Sequence, residues 1–453
     1  MTAAHPMDPT GTDIHADATA LREAGAACPV VLPGDVPGMI ISRHHELRDF
    51  LADPKIAKNV RHFAAYREGR VPAQWQLNAF ALADGMTTAD GDDHRRLRGL
   101  ATKAFTPRRV AAMRPWIEKL TTDLLAALPQ RAAEEAAAFS GAGTGAGAAA
   151  DASADADAGA GPSAGGGADA RADTGAVVDL RRHFAYPLPM GVISELLGVD
   201  LCHRDRLHDL TGRMVDTSGD AGDAMAARAE IRPVLAQVVR DRRAAPGDDL
   251  TSALIAARDE DRQGGAERLS DEELTGTLLL VIIAGHETTL NLITNAVRAL
   301  SGHPDQLALA LAGEVSWDAV VEETLRWDSP VANFPFRYPT TDVVVDGVTI
   351  PRGTPVLAGY AAAGRDPREY GPDAGRFDIT RPATRHLAFG HGPHYCLGAP
   401  LARLETVIAL RDLYAAYPAL TLAVPDASLP PHHGFVGNSV SALPVRLNGR
   451  RPR

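Results

Sequence analysis

The sequence predicts a mainly α chain with a small β region and one helix far longer than the average. Three observations predict it. Ser270-Asp271-Glu272-Glu273 is a capping box that opens an apolar helical pattern running to about Leu300, where His303-Pro304 breaks it. Helical patterns recur at 92–105, 107–128, 224–243, 316–327 and 396–417. Strand signals are few, and the clearest is Val343-Val344-Val345, Asp346-Gly347, Val348-Thr349-Ile350, which reads as a hairpin with a tight turn.

With 453 residues the chain can bury a large core and enclose a sizeable cofactor. The formal net charge is −11, which argues against nucleic acid as the main partner. Cys28, Cys202 and Cys396 are far apart and odd in number, so a disulfide framework is not expected and a reducing compartment fits. The N-terminal stretch is polar and acidic, without the basic and apolar regions of a signal peptide. The most apolar run, 274–285, is shorter than the roughly 20 residues of a membrane span and ends in His286-Glu287. A soluble, cytoplasmic protein with no membrane partner is expected, acting as a monomer.

One segment stands apart. Residues 131–176 are almost entirely Ala, Gly, Asp and Ser, with no large apolar side chain between Phe139 and Val177. Such composition cannot offset its ordering entropy, so the expectation is a disordered surface insertion within the single domain 1–453.

The strongest chemical signal is His386-Leu387-Ala388-Phe389-Gly390-His391-Gly392-Pro393-His394-Tyr395-Cys396-Leu397-Gly398. Glycines surround a single cysteine, and a helix follows it. A helix N-terminus stabilises a thiolate through its free N–H groups. Glycines admit a bulky flat ligand close to the backbone. A zinc reading of His391, His394 and Cys396 lacks a fourth ligand and a usual spacing.

This string resembles the haem-binding motif of cytochromes P-450, with matches at Phe389, Gly390, Gly392, His394, Cys396 and Gly398. Further motifs follow in the family's order over roughly 32–445. Ala284-Gly285-His286-Glu287-Thr288-Thr289 resembles its oxygen-activation motif. There Ala284 and Gly285 leave room above the haem, Thr288 supplies a hydrogen bond, and Glu287 helps relay protons. His286 reads as structural or solvent-facing. Glu323-Thr324-Leu325-Arg326 resembles its buried ion pair, which the resemblance joins to Arg376 in a structural role. His94 and Arg98, at i and i+4, with Arg337 and His394, resemble its haem-propionate ligands. Arg95, Arg96, Arg108 and Arg109 are expected as a basic patch for an acidic ferredoxin.

The resemblance implies the triangular-prism fold of that family, with haem b between the central helix and the helix after Cys396. Cys396 is then the axial thiolate and the metal ligand, Phe389 and Gly390 line the cofactor, and dioxygen is the co-substrate. The implied reaction inserts one oxygen atom into a medium-sized hydrophobic natural product, such as a macrolactone, polyketide or steroid. Electrons come from a ferredoxin and its NAD(P)H-dependent reductase. Oxidative aryl or phenol coupling is an alternative that leaves the same residues in place, and a non-enzymatic haem binder or sensor is another. Pocket residues are expected at 63–86, 211–226, 331–334 and 435–438, and at Val281 and Ala284.

Overall fold

The structure is a computed structural model that describes residues 4–83, 85–142, 176–219, 221–260, 270–382 and 385–448. Its organising element is the helix Asp271–Gly302, 32 residues long. Ser270 Oγ accepts from the Glu273 N–H at 3.0 Å, and the Glu273 carboxylate accepts from the Ser270 N–H at 2.7 Å. Both halves of the capping box therefore form, and orphan N–H groups at the buried helix's start are satisfied. From Thr289 to Val297 every side chain is buried, which marks a helix packed on all sides. It is the one described helix long and apolar enough to cross a membrane. Here it is enclosed by helices Pro187–Leu197, Ala221–Ala244, Trp317–Trp327 and Ala399–Ala416.

The β region lies to one side. Six strands run in the order His5–Pro6, Ala27–Leu32, Val36–Ile41, Val356–Gly359, Asn333–Pro339, Ile56–Ala57. The register between Asn333–Pro339 and Val356–Gly359 shifts between Phe334 and Arg337. Such irregularities re-aim side chains next to functional sites. Arg337 therefore sits past a bulge inside a strand. The expected hairpin pairs Val343–Val345 with Val348–Ile350, and Asp346 and Gly347 take φ of 46° and 77°. Positive φ at both central positions is what a tight primed turn requires.

Two boundaries differ from the sequence reading. The pattern at 107–128 is two helices, Pro107–Ala112 and Arg114–Ala142, and the second runs through Pro129. Residues 131–142, expected in the disordered insertion, are helical. Ala132 is buried, Glu134 pairs with Arg131, and Glu135 accepts from the Asp179 N–H and from His183. An Ala- and Glu-rich stretch is a strong helix former once one face finds a partner. The rest of the expected disorder, 143–175, lies outside the described residues.

Candidate active site

The cysteine loop is shaped by its glycines. Gly390 and Gly392 take φ of 73° and 71°, and a Cβ on Gly392 would stand 2.7 Å from the Leu51 carbonyl oxygen. That contact is with backbone of the helix His44–Ala52, so nothing larger than glycine fits. The loop closes when the Cys396 N–H donates to the Phe389 carbonyl at 2.8 Å. The following helix, Ala399–Ala416, begins three residues later than the sequence pattern suggests. Burial pushes the Cys396 thiol up, and hydrogen bonds from the Gly398 and Ala399 N–H groups pull it back. A thiol so placed becomes a thiolate when a cation binds it. The Phe389 ring lies under the Arg403 guanidinium, 4.5 Å from centroid to carbon.

Beside this loop stands a group of cationic side chains. His94 is buried, its ring centroid lies 4.0 Å from that of His394, and its Nε2 has no hydrogen-bond partner. Arg337 is buried, with Nη1 also without a partner. Arg98 donates to the Tyr395 carbonyl at 2.7 Å. Lys58, which the sequence reading missed, is buried with its Nζ 4.8 Å from the centre of the Phe334 ring. Burial, and then the charges of Lys58, Arg337, His94 and Arg98, press His394 down to about 2. Basic side chains gathered on one side of the loop, two of them buried with unpartnered nitrogens, fit an anionic ligand that brings at least two carboxylates, whose charge would favour their protonated forms. The only sequence cue to Lys58 was its place directly after the apolar pair Ile56-Ala57, where a lysine reads as ordinary surface.

On the central helix, Thr288 Oγ1 donates to the Ala284 carbonyl at 2.7 Å. This competes with the helix's own ladder and leaves the hydroxyl lone pairs facing the cavity. Ala284, Glu287 and Thr288 all line that cavity. Gly285 does not: a Cβ there would meet Ile193 Cδ1 at 2.4 Å, so its smallness serves packing against Pro187–Leu197. The expectation that Gly285 opens room above the cofactor is thereby corrected. His286 is fully buried rather than solvent-facing, with Nδ1 2.9 Å from the Ile282 carbonyl.

Glu287 is the hub of a network the sequence reading did not find. Its Oε1 is 3.3 Å from Arg181 Nη2 and 3.0 Å from His432 Nε2, and its Oε2 is 3.5 Å from His286 Nε2. Arg181 is anchored by Asn291 at 2.9 Å. Burial alone would raise the Glu287 carboxyl; the His432 hydrogen bond and the Arg181 charge outweigh it and hold it far below the carboxylate range. These partners come from 106 and 145 residues away, so no local motif could reveal them.

The Glu323–Arg326 pair is buried and doubly bonded, with Nε–Oε2 and Nη2–Oε1 both 2.7 Å. Arg326 also donates to the carbonyls of Gly364, Ala374 and Arg376 at 2.8, 2.7 and 2.8 Å. Arg376 therefore contributes a backbone oxygen while its side chain is exposed. The second guanidinium near Glu323 is that of Arg381, at 3.8 Å. A resemblance transfers residue positions, and here the neighbour five residues on points inward instead. Three members of the expected basic patch are ion-paired: Arg95 with Asp92, Arg96 with Glu273, and Arg109 with Asp248.

Comparison with known proteins agrees with this arrangement. The Cytochrome P450 family model matches residues 218–309 and 317–417. The chain is 36% identical over 445 residues to a 2-hydroxy-5-methyl-1-naphthoate 7-hydroxylase of Streptomyces carzinostaticus, covering 98% of this chain and 97% of that one. This chain belongs to the cytochrome P450 family. It is also 36% identical over 437 residues to a vitamin D(3) 25-hydroxylase of Pseudonocardia autotrophica, covering 96% and 94%. Among solved structures it is similar to CYP154C4 from Streptomyces sp. W2061, with TM-score 0.85, 38% identity and full coverage of both chains. The P450 is thus a monooxygenase with the family's mostly helical fold, and membership implies a haem-thiolate cofactor and use of dioxygen. The half-buried thiol, the unpartnered nitrogens of His94 and Arg337, and the glycine-walled loop fit that cofactor.

Proposed function

We propose that this P450 hydroxylates a medium-sized hydrophobic natural product in the cytoplasm, with electrons from a ferredoxin and its NAD(P)H-dependent reductase. The observation that carries the substrate class is the cavity. It offers about 510 Å³ between the central helix and the β region. Phe80, Leu279, Ile283, Phe334 and Val436 give it apolar walls, with Ala284 and Thr288 at one side. Lys58, Arg228, Arg232, Glu272, Glu287 and His432 also line it, so the apolar walls select by shape and burial while these groups can orient a substrate's polar ends. The relatives named above are called hydroxylases of a naphthoate and of vitamin D(3), both of that chemical kind. The lining corrects the expected one in part: Val281 is replaced by Leu279, Leu280 and Ile283, while Phe63 is buried in packing with Trp75 and Tyr338.

Cys396 would hold the iron of haem b through its thiolate, and His94, Arg98, Arg337, His394 and Lys58 would hold its propionates. A bound haem-thiolate would supply oxygen activation, using two electrons from the redox partner and two protons from solvent. The chain's own residues do the rest. Thr288, its proton committed to Ala284, offers lone pairs that accept a hydrogen bond in the cavity. Glu287 rests as an anion against Arg181 and His432; when it exchanges those partners for water it takes up a proton from that water, passes it into the cavity and returns to the anion. The apolar walls exclude bulk water and orient the substrate. Ferredoxin docking draws on family kinship and on cations other than the paired Arg95, Arg96 and Arg109.

A panel of aromatic polyketides, macrolactones and steroids, followed by the Soret shift of the purified holoenzyme and by product mass, tests the reading. A high-spin shift with a product heavier by one oxygen is expected from at least one class. A coupled product two hydrogens lighter would instead favour aryl coupling. Binding without any turnover would favour a sensor.

A further inference from the structure

Two adjacent histidines open the helix His44–Ala52, and neither lines the cavity. His44 is 2% exposed. Its Nε2 lies 2.9 Å from the Arg385 carbonyl, which can only accept, so Nε2 carries the proton and Nδ1 the lone pair. The Tyr370 ring packs edge-on against the imidazole, with centroids 5.5 Å apart. The ring is therefore fixed from two sides, and Nδ1 has no hydrogen-bond partner.

Nδ1 faces Glu369. Its distance to Oε2 is 3.8 Å, too long for a hydrogen bond, and both atoms are electron-pair donors. His45 Nε2 lies 2.9 Å from the same oxygen, and its side chain is 52% exposed. The three ligand atoms all fall within 4.8 Å of one another. An ion pair between His45 and Glu369 explains one of these contacts and leaves the buried His44 lone pair unused. A single cation explains all three. With Zn–N and Zn–O bonds of about 2.0–2.1 Å, tetrahedral ligand atoms stand about 3.3 Å apart. The separations of the Glu369 oxygen from His44 Nδ1 and His45 Nε2, 3.8 and 2.9 Å, lie on either side of that spacing. The N–H of His44 given to a carbonyl is the outer-shell bond that orients a ligating histidine. Two imidazoles and a carboxylate suit zinc and its neighbours better than calcium or magnesium.

We propose that His44 Nδ1, His45 Nε2 and the Glu369 carboxylate bind one divalent transition-metal ion of the zinc class, with a water in the fourth position. The ion joins the start of His44–Ala52 to the short helix Pro367–Tyr370 and, through His44, to Arg385 at the entrance of the cysteine loop. Its role is a structural clamp.

A second group of similar spacing, His208, His286 and Glu287, belongs to the catalytic network and serves as the control. The untagged, haem-loaded, chelator-treated protein is titrated with zinc chloride by calorimetry, and its melting temperature is followed with and without zinc. One tight zinc per chain and a raised melting temperature are expected. His45→Ala and Glu369→Gln each weaken binding by on the order of tenfold or more while the Soret band stays unchanged. Absence of stoichiometric binding, or an affinity in both variants unchanged from the parent's, overturns the proposal. Zinc binding lost in Glu287→Gln but kept in His45→Ala overturns it too, and moves the metal to the catalytic group.

Discussion

His432 Nε2 lies 3.0 Å from Glu287 Oε1, so the acid of the central helix is held by a loop 145 residues away that also lines the cavity. Together with Arg181 this makes Glu287 a fixed anion that moves only by trading partners. His432→Ala removes a charge-assisted hydrogen bond, a loss of about 1.5–3 kcal/mol. The expected outcome is a lower melting temperature and less product per NAD(P)H consumed. His432→Gln, which keeps a donor, restores part of both. Unchanged coupling in His432→Ala contradicts the role given to this pair.

Acid sensitivity should depend on cofactor loading. His394 is pressed down to about 2 by burial and by the cations around it. A histidine in the unfolded chain titrates at about 6.5. Between those values the unfolded state binds more protons, so folding stability falls as pH falls from about 6.5. Bound carboxylates would relieve the cation cluster and flatten that slope. Urea unfolding of apo and haem-loaded protein at pH 5 and 7 reads it. A steeper pH loss in the haem-loaded form contradicts the placing of the propionates among Lys58, His94, Arg98, Arg337 and His394.

Packing around Gly285 gives a third test. Gly285→Ala places a Cβ 2.4 Å from Ile193 Cδ1 and 2.7 Å from its Cγ1. Overpacking of this kind costs about 1–3 kcal/mol. A depressed melting temperature is expected, with recovery in the Gly285→Ala/Ile193→Ala double variant relative to Ile193→Ala alone. Additive losses would show that the two positions do not meet.

Within the buried Glu323–Arg326 pair, Arg326 also holds the carbonyls of Gly364, Ala374 and Arg376. Arg326→Met removes both charge-assisted bonds of the buried Glu323 and leaves it only the more distant Arg381 and the Asp378 N–H, at a cost of about 3–5 kcal/mol. Little soluble holoenzyme is expected. Arg376→Ala, which keeps its carbonyl, should retain haem content and melting temperature close to the parent; a loss like that of Arg326→Met contradicts the geometry.

The central helix, the hairpin and the cysteine loop were legible because each rests on local rules: a capping box, a primed turn, glycines around one thiol. Burial along one helix face likewise showed in the period of the apolar residues. Contacts between distant segments were not legible. Lys58, Arg181 and His432 look like surface residues in sequence, and only the fold brings them inward. Gly285 was misread because a glycine shows in sequence that space is needed, not on which side. Arg376 and Arg381 illustrate the same limit: two arginines five apart, of which the turn selects one.

The most direct test of the account is the carbon monoxide difference spectrum of the reduced protein, compared between the parent and Cys396→Ser. The parent should show the long-wavelength Soret band of thiolate-ligated haem, and the variant should lose it even where haem is retained. A thiolate-type band that survives in Cys396→Ser would contradict the assignment of Cys396 as the iron ligand.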